Sequence, residues 1–440
     1  MDTTPKIIVL DDDPTGSQTV HSCLLLLKWD VETLVLGLQD PSPIVFVLTN
    51  TRALPPEQAG AITREVCQNL KVAIPQAGIT EFLVVSRSDS TLRGHYPVET
   101  DAIADELGPF DAHFMVPAFF EGGRITRNST HYVVQDGQPI PAHETEFAKD
   151  SVFGYSTAYL PDYVAEKTKG RITADQVECL TLDRIRQGSL AILLGLANNV
   201  CVAVDGETQA DLNQFAQDVL AAAAQGKRFL FRSAASILTA LAALPPQPIA
   251  ANDMAQYVKD AHPGAVLVGS HVQKTTQQLA VLLEQPNVVG VEVAIAQLLE
   301  SPASGRNQLR QTVLETVAQI HVKGQTPVIY TSREELTFAD VQTRLDFGKT
   351  VSALLMDIVR GLPSDLGFLI SKGGITSNDT LSKGLALRTT RLLGQILPGC
   401  SVVRTPAEHP QFPDMPVVLF PGNVGDAQAL ALAYERLAGI

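Results

Sequence analysis

Three acids in a row, Asp11, Asp12 and Asp13, close a short apolar run (Ile7 to Leu10) and stand directly before Pro14, Thr15 and Gly16. A single aspartate there would be an ordinary helix N-cap. Three adjacent carboxylates repel one another and need a cation or a proton in compensation, which is how general bases and cation ligands are made. A second loop, Ser86 to His95 behind Leu83-Val84-Val85, gathers Arg87, Ser88, Asp89, Ser90, Thr91, Arg93 and Gly94. Two guanidinium forks among hydroxyls suit a carboxylate or phosphate, and Gly94 permits close approach to the backbone. A loop that only faces water would not need this density of charge and hydroxyls.

Three further turns carry a different chemistry. Lys372-Gly373-Gly374-Ile375-Thr376 follows the apolar Phe368 to Ile370, Pro421-Gly422-Asn423-Val424-Gly425 follows Val417 to Phe420, and Gly269-Ser270-His271 follows Ala265 to Val268. Glycines between a strand and a helix let backbone N–H groups and the positive helix end face phosphate oxygens. One such turn is explained by tight backbone geometry alone; three in one region favour a nucleotide site. Familiar alternatives fail on spacing. Gly269 to Thr275 lacks the glycine that a P-loop places before its Lys-Thr pair, and neither G-x-G-x-x-G after the first strand nor G-x-S-x-G occurs. His143 begins HETEF rather than H-E-x-x-H, the other histidines show no metal-ligand spacing, and His113, between Ala112 and Phe114, reads as a core histidine.

These loops need a frame that brings them to one edge. Apolar β-branched runs alternate with polar loops and helix-period segments: Ile7 to Leu10, with a helix expected after DDDPTGSQT; Ile44 to Leu48, then TNTRALPPEQ and AGAITREVCQNL; Phe82 to Val85, then the arginine-bearing loop. That rhythm predicts an α/β fold of two domains with mainly parallel sheets covered on both faces, ligands binding where the loops leave the carboxyl ends of the strands. Between Phe114 and Phe153 the rhythm breaks at Gly122-Gly123 and Asp136-Gly137 around HYVV, predicting a hairpin or lid excursion from the N-terminal domain. The proline-rich LPPQPIAANDMAQYVKD marks a linker, so the expected boundaries are 1–245, a linker at 246–263, and 264–440. Pro421 to Asp426 is expected to open a helix, as is Lys372 to Asn378.

Composition narrows the classes. Of 440 residues, 45% are hydrophobic and 18% charged, enough apolar material for more than one core. Lys plus Arg number 33 against 47 acids, a net charge of −14, which disfavours nucleic acid and anionic membranes as partners and requires any anion site to be built locally. Five scattered cysteines, the absence of a C-x-x-C pair, and an N-terminus with only four apolar residues before its acids point to a reduced, cytoplasmic protein without a signal peptide. The most apolar later stretch, Ser189 to Val204, is too short to span a bilayer and contains Asn198 and Asn199.

Taken together the motifs resemble the four-carbon acid sugar kinase family. Its D-D-x-T-G is matched by Asp12 to Gly16, its D-S-T-L-R-G by Asp89 to Gly94 with Glu99 following, and its P-A-F-P-E-x-G-R-x-T by Pro117 to Thr126, with Phe120 at the usual proline. Its E-T-E-F-A is matched by Glu144 to Ala148, its glycine pair plus Thr by Gly373, Gly374 and Thr376, its P-G-N-x-G by Pro421 to Gly425, and its Ser by Ser270. Ile375 stands where many members have an acid, and Asp379 is the nearby carboxylate that could replace it. The resemblance implies ATP-dependent phosphorylation of a hydroxyl on a small sugar acid such as threonate, erythronate or 3-oxo-tetronate, with ATP and Mg2+ as cofactors. It implies an N-terminal sugar-acid domain using Thr15, Gly16, Arg87, Ser88, Asp89, Ser90, Thr91, Arg93 and Gly94, with Asp12 and Asp13 catalytic. ATP would lie on Ser270, Lys372, Gly373, Gly374, Ile375, Thr376, Gly422, Asn423 and Gly425, the two domains closing on each other. Protein ligands of Mg2+ are not singled out, and a homodimer is compatible with the pattern. An NAD-dependent hydroxy-acid dehydrogenase would share the two α/β halves but need the missing dinucleotide fingerprint. A non-catalytic two-lobed sugar-acid sensor would have no need of two glycine-rich helix starts in one lobe.

Overall fold

The structure, a computed structural model, describes residues 5–300, 302–333, 336–338 and 340–440. Its contacts divide the chain into two compact units, Met1–Pro246 and Gln247–Ile440. The first carries strands β1 (Lys6–Asp11), β2 (Leu24–Leu26), β3 (Ile44–Leu48), β4 (Phe82–Arg87), β5 (Ala112–Val116), β6 (Arg124–Arg127), β7 (Thr130–Gln135), β8 (Gln138–Pro141), β9 (Glu178–Leu180), β10 (Val200–Val204) and β11 (Phe229–Ser233). Eight of these form a parallel sheet in the order β2-β3-β1-β4-β11-β5-β10-β9. Its central strands are buried along their length, as expected for strands covered by helices on both faces. Phe114 meets Phe215, Phe229 and Phe231 at centroid distances of 5.2, 5.0 and 5.1 Å; the last two lie on β11, and the first fixes the sheet against helix Gln209–Ala223.

Strand order runs outward in opposite directions from β1, towards β3 on one side and β4 on the other, which makes the carboxyl ends of β1 and β4 the sheet's reversal point, where α/β folds place their ligand sites. Register places Asp11 beside both Leu48 and Arg87, and Ser233 beside Arg87. The loops after these four strands therefore emerge at one edge. The excursion is a separate three-stranded antiparallel sheet, β6-β7-β8, with HYVV inside β7. The helix expected after DDDPTGSQT does not follow it; the short strand β2 comes next instead. Pro14 and Gly16 break helical hydrogen bonding, the Asp13 carboxylate accepts Thr15 N–H at 2.8 Å, and the chain runs in turns to β2 before helix Val31–Gln39, capped by Asp30.

The second unit holds β12 (Ala265–Val268), β13 (Val288–Val293), β14 (Thr326–Thr331), β15 (Leu369–Lys372), β16 (Thr389–Leu397), β17 (Cys400–Arg404) and β18 (Pro416–Phe420). Their order is β13-β14-β12-β15-β18-β17-β16, parallel from β13 to β18 and antiparallel at β17 and β16. Residues 251–261, within the segment read as a linker, form short 3-10 turns, and Met254 lies fully buried in this unit's core with Val266, Ile370 and Tyr434. Among the described residues, no helix is long and apolar enough to cross a membrane.

Candidate functional site

At the edge of the first unit the three aspartates separate by burial. Asp11 and Asp12 are 1% and 2% exposed, whereas the Asp13 side chain is 24% exposed. The cation that compensates them is Arg52, from the 3-10 turn Thr51–Ala53 after β3. Its Nε donates to Asp12 Oδ2 at 3.1 Å and another nitrogen to Asp12 Oδ1; Nη1 lies 3.3 Å from Asp13 and 3.8 Å from Asp89. One guanidinium thus draws carboxylates from three positions on two loops into a cluster. It holds Asp13 and Asp89 below the usual carboxylate range, and their charge raises its own pKa further. Arg52 was not singled out in the sequence, although its loop was placed on this edge; a lone arginine immediately after a buried strand was the available signal.

Below the loops, burial pushes Asp11 up to about 7 despite Arg87 Nη1 at 3.4 Å, and Glu99, buried near Asp12, up to about 7 while it accepts Thr51 Oγ1 at 2.5 Å. Arg87 is itself almost fully buried and faces Asp11 and Asp12 rather than solvent, so the expectation of a guanidinium free to meet substrate fails for it. Ser88 Oγ donates to Asp12 Oδ2 at 2.7 Å. Gly94, at φ +116°, is the reason this bond exists: a Cβ there would overlap Ser88 Oγ and lie 3.2 Å from Asp12 Oδ2. Gly16 likewise leaves the room that the Asp11 carboxyl occupies.

The rest of the second loop is organised around Asp89. Its carboxylate accepts from Thr91 Oγ1 and from Arg93 Nε at 2.8 Å, while Arg93 also approaches Asp150 at 3.7 Å. Ser90 gives its carbonyl to buried His131 Nε2 at 2.7 Å. From β11, Arg232 donates to the carbonyls of Asp89 and Arg93 at 3.0 and 2.7 Å, fixing the loop from below. An arginine inside the apolar FLFRS, which burial forces to find partners, was the unread signal here. The cations left nearest to solvent are Arg93 and Arg124, both over the Phe147 ring at 5.3 and 5.7 Å, and Arg124 Nε is a buried donor without a hydrogen-bond partner. Thr15 is turned inward, its hydroxyl donating to Asp13 Oδ1 at 2.5 Å.

In the second unit, β12, β15 and β18 are adjacent and parallel, so the three glycine turns also share an edge. They interlock through backbone: Gly269 N and Ser270 N donate to Lys372 O at 3.2 and 3.3 Å, and Gly373 N to Phe420 O at 2.8 Å. Thr275 Oγ1 joins Ser270 Oγ to Gly422 O at 3.1 and 3.0 Å. Gly373 sits at φ +122°, and a Cβ on Gly269 would overlap Thr376 Oγ1, whereas a Cβ on Gly374 would meet open space. Lys372 is not available to a ligand as expected. Fully buried, its Nζ donates to Pro421 O at 2.6 Å and approaches Gly422 O at 3.3 Å, and burial pulls its pKa down to about 7. It ties one glycine turn to the next. Ile375 is 74% exposed, and Asp379 is buried, engaged by Ser352 and Lys383. Asn423 and Gly425 lie on an exposed loop that continues to helix Ala429–Ala438, so Pro421 to Asp426 precedes a helix without opening it. Beside these turns a cavity of about 600 Å³ is lined by Gly269, His271, Arg333, Phe338, Phe347 and Thr376.

One α/β unit carries clustered carboxylates and arginines and the other interlocked glycine turns; residues 7–241 match the sugar-binding N-terminal domain family and residues 265–430 the nucleotide-binding C-terminal domain family. The chain belongs to the four-carbon acid sugar kinase family. It is 29% identical over 222 residues to a D-erythronate kinase of Heliobacterium modesticaldum, covering 48% of this chain and 47% of that protein. It is also 29% identical over 165 residues to a D-threonate kinase of Bordetella bronchiseptica, covering 36% and 38%. The matched part spans less than half the length of these relatives. A Salmonella typhimurium LT2 protein described as a tRNA synthase shares the fold, with a TM-score of 0.70 at 18% identity over 98% of this chain and 99% of that one.

Proposed function

We propose that the protein transfers the γ-phosphoryl group of ATP to a hydroxyl of a small, four-carbon sugar acid. The observation that carries this reading is the Arg52-clamped carboxylate cluster, with Asp13 at its solvent side and Arg93 and Arg124 nearby, in a chain whose other unit carries a glycine cradle. The names of the two relatives, an erythronate kinase and a threonate kinase, support the substrate class.

Phosphoryl transfer needs an oriented hydroxyl, a group to take its proton, and charge neutralisation on the transferring oxygens. Arg93 and Arg124 would bind the substrate carboxylate, the unpartnered Arg124 Nε supplying a donor that folding leaves unused. Asp13, the most exposed of the three aspartates, would accept the hydroxyl proton, with Asp12 and Ser88 beneath it holding the geometry and Arg87 holding Asp11. In the second unit the N–H groups around Gly373 and Gly374, with Ser270, Thr376 and Gly422, would receive the triphosphate, and Lys372 would keep two of the turns in register. Mg2+ supplies neutralisation of phosphate charge when bound, and the hydroxyls of Ser270 and Thr376 are the cradle oxygens that would hold it.

The test is a coupled ADP-release assay across D-erythronate, D-threonate and 3-oxo-tetronates, with calorimetric ATP binding. Arg93→Ala should raise KM for the acid, Asp13→Asn should lower kcat by orders of magnitude, and Gly374→Val, filling open space, should abolish ATP binding. No ADP release with any acid, or ATP affinity untouched by Gly374→Val, refutes the assignment.

A further inference from the structure

On the edge of the second unit opposite the glycine turns, three segments distant in sequence bring together two imidazoles and a carboxylate. His262 precedes β12, His321 lies in the last turn of helix Pro302–Val322, and Asp365 lies in the turn before β15. His321 Nε2 is 2.8 Å from Asp365 Oδ1, His262 Nδ1 is 3.4 Å from Asp365 Oδ2, and one ligand atom from each of the three lies within 4.8 Å of the others. Ligands held by one tetrahedral ion at about 2.0–2.2 Å sit roughly 3.3–3.5 Å apart, so small side-chain rotations suffice to enclose an ion.

Neither neutral tautomer of His321 satisfies this cluster by hydrogen bonds alone. His321 is buried, and its Nδ1 has no hydrogen-bond partner. With its proton on Nδ1, the ring aims the Nε2 lone pair at a carboxylate oxygen, which is repulsive unless a cation lies between them. With the proton on Nε2, the bond to Asp365 is made but a buried lone pair on Nδ1 goes unanswered. A cation between Nε2 and the carboxylate removes the first conflict, leaving the Nδ1 proton as the one unanswered group of the ring. His262 and Asp365 are partly open to solvent, and a cavity of about 190 Å³ beside them, also lined by Lys259, Asp260 and Asp414, has room for waters to complete a coordination shell.

We propose that His262, His321 and Asp365 form a binding site for a divalent transition metal ion, with zinc the ion that two imidazoles and a carboxylate suit best. The ion would ligate His321 Nε2, His262 Nδ1 and one Asp365 oxygen. It would tie the end of the long helix to the loops leading into β12 and β15, at the far ends of strands whose carboxyl ends carry the cradle. Its role is therefore to anchor the fold.

The experiment uses the full chain, stripped with chelator and exchanged into chelator-free buffer. Calorimetric titration with ZnCl2 should give one Zn2+ per chain with micromolar or tighter affinity, Co2+ should give the visible bands of a four-coordinate site, and Zn2+ should raise the melting temperature by a few degrees. His262→Gln and Asp365→Asn, both at partly exposed positions, should each weaken binding at least tenfold while melting like the parent chain in EDTA. Absence of stoichiometric Zn2+ binding in the parent chain overturns the proposal, as does binding that survives both substitutions.

Discussion

Replacing Arg52 by Met would remove the positive charge shared by Asp12, Asp13 and Asp89 while keeping much of the side chain's volume. The guanidinium is 19% exposed and lies within 3.8 Å of all three carboxylates, so water can compensate for its loss only in part. Leaving a largely buried ion cluster without its partner costs about 3–5 kcal/mol. At about 2–4 °C per kcal/mol for a unit of this size, the first unit should melt roughly 6–20 °C lower at pH 7. The pH dependence has a definite sign. Asp13 and Asp89 are held below their ordinary pKa by Arg52, so their contribution to stability is present above about pH 4 and disappears as pH falls through their folded values. The deficit of Arg52→Met should therefore be largest at neutral pH and shrink towards pH 3. With the proposed acids as substrates, the acid limb of the kcat/KM profile should also move up by about 1–3 pH units. Arg52→Lys, with charge but no planar fork, should fall between parent and Met variant. Thermal melts at several pH values together with the rate profile provide the test. A Met variant that melts within about 2 °C of the parent at pH 7, or whose deficit is the same at pH 7 and pH 3.5, would refute the reasoning.

Three other perturbations follow from the geometry. Gly94→Ala forces a side chain into a left-handed conformation and against Ser88 Oγ, so a loss of about 1–3 kcal/mol is expected in urea titrations, together with at least a tenfold fall in kcat as Ser88 leaves Asp12. Glu99 has a folded pKa of about 7, above its unfolded value, so its contribution is fully present below about pH 4 and is lost as pH rises through 7. Glu99→Gln, which can still accept from Thr51, should raise the urea midpoint relative to the parent at pH 8 but not at pH 4; an equal difference at both pH values would exclude this role. Lys372 has a folded pKa of about 7 against 10.5 unfolded, so the unfolded chain binds the extra proton and the second unit should gain stability from pH 7 to 10. Lys372→Met should flatten that rise and weaken ATP binding, because Pro421 and Gly422 lose their tie; a rise that persists unchanged in the variant would assign it to other groups.

Much of the frame was legible from periodicity. Runs such as IIVL, IVFVL and FLVVS are apolar on every residue because both faces of a parallel strand are covered, and the polar loops that interrupt them must then leave at the strand ends. Legibility failed where a short strand took the place of a helix, as after DDDPTGSQT, where Leu24–Leu26 pairs with β3 before helix Val31–Gln39 begins. It failed again where a helix start was inferred from glycines alone, as at Pro421, since a glycine turn can be followed by further loop before a helix begins.

Residue chemistry by itself determined that carboxylates, guanidinium groups and glycine turns would gather into local sites, because the chain's net charge of −14 leaves an anion no general attraction to follow. It could not determine which cation belongs to which acid. Strand order decided that: β3 beside β1 delivers Arg52 to Asp12 and Asp13, β4 on the other side buries Arg87 against Asp11, and β11 places Arg232 beneath the Asp89 loop. His262, His321 and Asp365, spread over 104 positions, also meet only in the folded chain. Pairing energy depends on distance and on exclusion of water, and neither is defined until the sheet has set its order and the helices have covered it.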